Sequence, residues 1–399
     1  MTLTDRWDAV MMPNYGTPTI EIARGDGVRV WDTAGREYLD FVAGIAVSSL
    51  GHAHPAVVEA VGRQVTTLAH TSNLAIHEPG VRLAERLVEL VGVPGRVFFA
   101  NSGAEANECA VKLTRRHGWR HNPDGTRLEI VAANGSFHGR TLGALAVTGN
   151  PAKRVPFAPL PEPVSFVDYG DVRALEDAVS ERTAAIFVEP ALGEGGIVPA
   201  PAGYLAAARD ICDATGALLV IDEVQSGIGR SGHWFASLAD GVRPDVLTLA
   251  KGLGGGLPIG ACIGLGPAGE LFAPGDHGST FGGNPVACAA ALAVLTTIAD
   301  DQLLDSVKRV GEYLAAGLQA IDSPLVAEVR GFGLWRAIAL TAPSAGAVET
   351  AARERALLVN AVRPDVLRLA PPLILTETDV DAALPRLSEA LAAVEGGQQ

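Results

Sequence analysis

Two polar residues stand where an apolar core would not choose them. The stretch 217–232 reads ALLVIDEVQSGIGRSG, and the stretch 244–256 reads PDVLTLAKGLGGG. Each contains a short apolar run, Ala217–Ile221 and Asp245–Leu249, of the kind that forms a fully buried parallel strand. Asp222 follows the first run and Lys251 closely follows the second. Ligands of open α/β sheets sit beyond the carboxyl ends of strands, so this carboxylate and this amine are expected at one edge. A lysine between an apolar strand and a glycine-rich loop is partly desolvated, releases its proton more easily and attacks carbonyls. A pyridine aldehyde cofactor needs such a lysine, together with a carboxylate that keeps the ring nitrogen protonated. On these residues alone, an ordinary strand-end aspartate and a loop lysine remain the plain alternative.

Other strand ends add matching chemistry. Arg96–Asn101 reads as a strand running into Ser102-Gly103-Ala104-Glu105, where Ser102 and Glu105 have capping-box spacing. A helix start after a tight turn of small residues offers free N–H groups and a positive dipole end to a phosphate. The same spacing also suits a merely well-capped helix. Leu128–Ala132 leads to Ser136-Phe137-His138-Gly139-Arg140. Phe137 can stack on a flat ring and Arg140 can grip a carboxylate, or the two can be a core aromatic and a solvated arginine. Thr183–Val188 ends at Glu189-Pro190, with Glu194 beyond it in a Gly-Glu-Gly-Gly loop. Arg368, inside Val366–Pro372, needs an anionic partner if it is buried and none if it lies on an edge. Phosphate cradle, stacking ring, carboxylate and amine together point to pyridoxal 5′-phosphate.

Bulk properties agree with a large globular protein. The chain has 399 residues, 48% hydrophobic and 19% charged, enough for two or three domains with a sizeable core. A net charge of −14 disfavours nucleic acid and anionic membranes as partners. Cys109, Cys212, Cys262 and Cys288 form no CxxC pair, so buried, reduced thiols and a cytoplasmic location are expected. The opening MTLTDRWDAVMM lacks the pattern of a secretory signal, and no apolar run is long enough to span a bilayer. The His52-Ala53-His54 pair lacks the acidic or thiol companions of a metal site, and no metal is expected. Gly252–Gly256 lacks GxGxxG spacing, and Pro258 stands where a helix would begin, which disfavours a nicotinamide dehydrogenase.

The remaining elements follow from periodicity and punctuation. Helices are expected at Pro55–Ala69, Glu78–Val91, Ser102–His117, Val172–Val179, Tyr204–Thr215 and Val286–Ile298. Further helices are expected at Leu303–Ala320, Ala347–Ala356 and Thr378–Val394. Pro151–Pro163, with five prolines, is expected to be an extended connection. The final EGGQQ is expected to fray.

These segments also resemble a known family, the class III aminotransferases of fold type I, over nearly the whole chain. The marks are NSGAEANE at 101–108, SFHGRT at 136–141, VEP with GEGG at 188–196 and IDEVQSGIGR at 221–230. They continue with LAKGLGGGLPIGA at 249–261, GSTFGGNP at 278–285 and RLAPPL at 368–373. The resemblance implies an α/β fold with a mostly parallel central sheet in a large domain at 61–298. A smaller α/β domain would comprise 299–399 with the segment 1–60. It implies Lys251 as the Schiff-base lysine, Asp222 at the pyridine nitrogen and Gln225 near the ring hydroxyl. Ser102, Gly103 and Ala104 would bind the phosphate, helped by Thr280 from the neighbouring subunit of a homodimer, and Phe137 would cover the ring. Arg140 and Ser279 would contact an acylated substrate. Glu194 would mask Arg368 in one half-reaction and release it for glutamate in the other. The implied reaction moves the δ-amino group of N-acetylornithine to 2-oxoglutarate, with N-succinyldiaminopimelate as a second donor. Free ornithine and 4-aminobutyrate are the alternative donors. Ile45 stands near the position of a tyrosine in the ornithine-specific members, which favours a blocked α-amine.

Overall fold

The computed structural model describes residues 1–396. After a short helix at Leu3–Val10 come three strands: β1 (Ile22–Asp26), β2 (Arg29–Asp32) and β3 (Glu37–Asp40). Seven strands then build the central sheet. They are β4 (Gly95–Ala100), β5 (Glu129–Ala133), β6 (Val164–Val167), β7 (Thr183–Val188), β8 (Leu218–Asp222), β9 (Val246–Leu249) and β10 (Gly260–Leu265). The C-terminal part adds β11 (Val326–Phe332), β12 (Trp335–Leu340), β13 (Leu357–Leu358), β14 (Asn360–Arg363) and β15 (Val366–Leu369).

The central order is β4-β10-β9-β8-β7-β5-β6. Every pairing from β9 to β6 is parallel, and β10 alone runs against its neighbours β9 and β4. Strands β7, β8, β9 and β10 are buried along their whole length. That is why they read as unbroken apolar runs rather than as alternating ones. The carboxyl ends of β4, β5, β7, β8 and β9 therefore share one edge, where the start of β10 also lies.

The second sheet has the order β11-β12-β15-β14 and carries Arg368 on β15. The N-terminal strands form a separate sheet, β1-β2-β3-β13, in which β3 runs parallel to the sequence-distant β13, with Leu39 opposite Leu357. Arg230 joins the central and C-terminal parts. Its guanidinium is buried and donates through Nη1 to the carbonyls of Leu334 and Pro371. Burial pulls this arginine down to about 9. Among the described residues no single helix is long and apolar enough to cross a membrane.

Several expectations need correction. The proline-rich connection is not extended throughout, because Pro151–Arg154 is helical and Val155–Phe157 forms a 3-10 turn. Proline at the first helical position is tolerated, which is how Pro151 starts a helix. The helix after Ser102 runs on to His121. The last helix extends through Gly396, so Glu395 and Gly396 of the expected frayed tail are helical, and residues 397–399 lie outside the described residues. Residues 43–46 were not flagged by any pattern, yet Ala43, Gly44, Ile45 and Ala46 all have left-handed φ angles. This coil packs against the turn after Lys251, where Ser49 Oγ donates to the Gly252 carbonyl at 2.8 Å.

Candidate active site

Strand β8 delivers Asp222 as its last residue, 5% exposed. Its Oδ2 accepts from Asn107 Nδ2 at 2.7 Å and from His138 Nδ1 at 2.8 Å, and its Oδ1 accepts from Val224 N at 2.8 Å. Facing a carboxylate oxygen, His138 donates through Nδ1. Asn107 Nδ2 also donates to the His138 carbonyl at 2.7 Å. Asn107 Oδ1 and His138 Nε2 are buried without a hydrogen-bond partner. Asn107 lies one turn after Gly103 and so faces the same side of that helix.

The neighbouring strand β9 delivers Lys251 at the start of a 3-10 turn. The residue has φ +42°, a left-handed conformation that a side chain disfavours by roughly 1–3 kcal/mol. Burial, then the like charge of Arg368, bring its amine down to about 8. Oriented with its amide oxygen toward the two cations, Gln225 accepts from Lys251 Nζ at 2.9 Å and from Arg368 Nη1 at 3.3 Å. Arg368 is 3% exposed, and its charge is answered by Glu194 Oε1 at 2.7 Å and by Asn360 Oδ1 at 2.7 Å. Burial pushes the Glu194 carboxyl up, but the Arg368 charge and hydrogen bond, aided by Lys251 and Lys153, hold it below its ordinary value.

These groups face a cavity of about 450 Å³, within the usual size of a small-molecule site. One end is the start of the helix Gly103–His121. Ser102 Oγ accepts from Glu105 N at 3.2 Å, but the reciprocal half of the capping box is missing. The Glu105 carboxylate instead takes both the N–H and the side-chain amide of Asn101, each at 2.8 Å. The first-turn N–H groups of Gly103 and Ala104 have no acceptor within the helix and point toward the cavity end. Gly103 is required by a close approach, since a methyl group there would lie 2.7 Å from Val224 Cγ1.

Phe137 and Arg140 form another wall, with Arg140 Cζ 5.5 Å and Lys153 Nζ 4.8 Å from the Phe137 ring centre. Glu189 is buried beneath them, where its Oε1 accepts from Phe137 N at 2.9 Å. Burial, opposed by His138 and reinforced by Asp222, raises the Glu189 carboxyl to about 7.

The fold brings Ser102, Gly103, Ala104, Phe137, Arg140, Glu194, Asp222, Gln225 and Lys251 onto one cavity wall. Arg368 stands directly behind Glu194 and Gln225. Ser279 and Thr280 are not on that wall. Ser279 Oγ sits at its rim, accepting from Asn101 Nδ2 at 3.3 Å and from Gly282 N at 2.9 Å, and Thr280 faces solvent. Ile45 is likewise off the wall and 43% exposed, whereas Val47, two residues later, lines the cavity. Sequence reasoning passed over Asn107 and His138, although both lie within the segments NSGAEANE and SFHGRT. It named Glu189 only as a strand end. Nothing local marks Val47, which reaches the site through the left-handed coil at 43–46.

A cradle for an anion, a ring-sized cavity and an amine facing a fixed carboxylate define an aminotransferase site, and the chain belongs to the class-III aminotransferase family. The family model described as aminotransferase class-III matches residues 10–391. The acetylornithine aminotransferase of Mycobacterium tuberculosis strain H37Rv is 59% identical, over 97% of this chain and 96% of that protein. Among solved structures, the N-acetylornithine aminotransferase of Stenotrophomonas maltophilia K279a is 38% identical with a TM-score of 0.85, covering 96% of this chain and 99% of that one. The ornithine aminotransferase of Toxoplasma gondii, whose active site holds pyridoxal phosphate at partial occupancy, is 34% identical with a TM-score of 0.92, covering 98% of this chain and 94% of that one.

Proposed function

We propose that this chain is a pyridoxal-phosphate-dependent aminotransferase that moves the δ-amino group of N-acetylornithine to 2-oxoglutarate. The products are N-acetylglutamate 5-semialdehyde and glutamate, and N-succinyldiaminopimelate is a second donor. The observation that carries the cofactor assignment is the placement of Asp222 and Lys251 at adjacent strand ends of one cavity that closes on a helix N-terminus. The relatives' names, at up to 59% identity over nearly full length, support the choice of donor.

The residues present fit the cofactor. Ser102, Gly103 and Ala104 offer N–H and hydroxyl groups to its phosphate where the helix dipole favours an anion. Phe137 would cover one face of the ring. Asp222, oriented by Asn107 and His138, would keep the ring nitrogen protonated, since its oxygens retain acceptor capacity for one further donor. Gln225 would face the ring hydroxyl. When bound, pyridoxal phosphate supplies an aldehyde that combines with amines and a protonated ring that draws electrons from the adjacent carbon.

Lys251 Nζ would hold the cofactor's aldehyde carbon, and once released its amine would accept a proton from the substrate carbon and give it up again, acting first as base and then as acid. Arg140 and Ser279 grip the carboxylate and acyl group of the donor. Glu194 covers Arg368 while that donor is bound and swings aside when the α-carboxylate of glutamate or 2-oxoglutarate needs the guanidinium. A homodimer, with Thr280 serving the neighbouring subunit's phosphate site, completes each cavity. The enzyme acts in the cytoplasm on small molecules, without nucleic acid or membrane.

A panel of donors with 2-oxoglutarate tests the assignment. N-Acetylornithine is expected to give the highest kcat/KM. Free ornithine or 4-aminobutyrate outperforming it would overturn the choice of donor.

A further inference from the structure

The loop that carries Glu194 is fastened at both ends. On one side the buried Glu189 carboxylate accepts through Oε2 from Gly193 N at 3.3 Å, while its Oε1 holds Phe137 N at 2.9 Å. On the other side Arg330 Nε donates to the Gly196 carbonyl at 3.0 Å. A turn closes the segment, with Gly196 N donating to the Gly193 carbonyl at 3.3 Å. Gly193 packs closely against the site, since a methyl group there would lie 2.0 Å from the Gln225 amide. The anchor is firm in turn: the Glu189 carbonyl accepts from Tyr169 Oη at 2.8 Å, and Glu189 is 6% exposed. Glu194 and Gly195 thus lie between two hydrogen-bonded glycines.

We propose that Glu189 is a positioning residue that pins the base of the Glu194 arm over Arg368, and so sets how readily the site admits an α-carboxylate substrate relative to the acylated donor. The proposal rests on the assignment of Glu194 and Arg368 as the mask and the carboxylate anchor. It adds that one buried carboxylate serves two loops at once. The ring-covering loop hangs from one oxygen and the masking loop from the other. A carboxyl group offers an oxygen to each N–H group, whereas an amide of the same shape has one acceptor oxygen. In Glu189→Gln the oxygen stays with the shorter Phe137 contact. The amide nitrogen then meets the Gly193 N–H donor to donor, and the pin is released while the ring-covering loop keeps its hold.

The test uses the holoenzyme and follows each half-reaction separately through the absorbance of the bound cofactor, with glutamate or N-acetylornithine as donor. In Glu189→Gln the half-saturating glutamate concentration is expected to fall by about three- to tenfold, the scale of one weakened hydrogen bond to a charged group. The limiting rate with N-acetylornithine is expected to stay within about twofold, because Glu189 is the last and smallest of the charges acting on Lys251. Glu189→Asp keeps the charge but shortens the reach. It is expected to shift the same ratio in the same direction, and it serves if the glutamine variant does not fold. A ratio of the two half-reactions that is unchanged, or that moves against glutamate, overturns the proposal. Wild-type enzyme that converts neither donor overturns the aminotransferase reading as well, a result readily told apart from the first.

Discussion

Lys251 is held in a state its side chain would not choose. It is buried, it sits at a left-handed φ of +42°, and it lies near a second cation. Each of these disfavours the folded state or the charged amine, and together they produce a nucleophile at moderate pH. The sign of the pH effect follows. The neutral amine reacts with carbonyls, and the folded environment lowers the amine to about 8, so the reactive fraction rises as pH climbs through 8 rather than above 10. Cofactor-free protein titrated with an aldehyde should therefore show a rate midpoint near pH 8. A midpoint near 10 would mean that Lys251 is solvated. Lys251→Ala should lower steady-state kcat by roughly 10⁴-fold, the upper range for loss of a general base, and a variant whose kcat stays within about tenfold of wild type would remove Lys251 from the reaction.

At this scale the sequence was most informative where a polar residue followed an apolar run, as at Asp222 and Lys251. It said least about residues that work through others. Asn107 and His138 approach Asp222 from a helix and a loop 115 and 84 residues away in sequence. No local pattern encodes such meetings.

The site depends on element ends more than on element interiors. The helix Gly103–His121 can present its first N–H groups to a phosphate only because Gly103 clears Val224. Gly103→Ala would force one of the two to move, at a cost of about 1–3 kcal/mol. Weaker cofactor retention after gel filtration, with the midpoint of urea unfolding lowered in the cofactor-free protein, is the expected result. Unchanged retention would show that the helix start does not bind the phosphate. Buried parallel strands were legible because their apolar runs are continuous between turn residues. The missing half of the capping box was not. Spacing alone does not tell that Glu105 prefers two Asn101 groups to the Ser102 N–H. The proline-rich connection misled for a related reason, because proline both starts helices and prevents them.

Across the whole molecule, charge and apolar surface separate two roles. An overall charge of −14 coexists with cationic groups gathered around one cavity, Lys251, Arg140, Lys153 and Arg368 against Glu194. That arrangement favours small carboxylates over polyanions. Leu74 and Ile76 are over 90% exposed, and Phe281, beside Thr280, is 60% exposed. Exposed apolar side chains on this scale fit the proposed homodimer, in which a second subunit would cover them. Sedimentation should give twice the chain mass, and Thr280→Ala should weaken cofactor binding although Thr280 is off its own chain's cavity wall. A monomer with full activity would refute the shared-site assignment. The β-rich segment after residue 300 was legible in the strand-like runs at 326–340 and 366–369. The pairing of β3 with β13 was not, because it joins segments more than 300 residues apart.

The account turns on one bond between Lys251 and the cofactor. Borohydride reduction of the holoenzyme, followed by proteolysis and mass spectrometry of the peptides, locates that bond directly. The account predicts a phosphopyridoxyl group on Lys251 alone, accompanied by loss of visible absorbance. A label on Lys112, Lys153 or Lys308, the only other lysines in the chain, or no label at all, would contradict it.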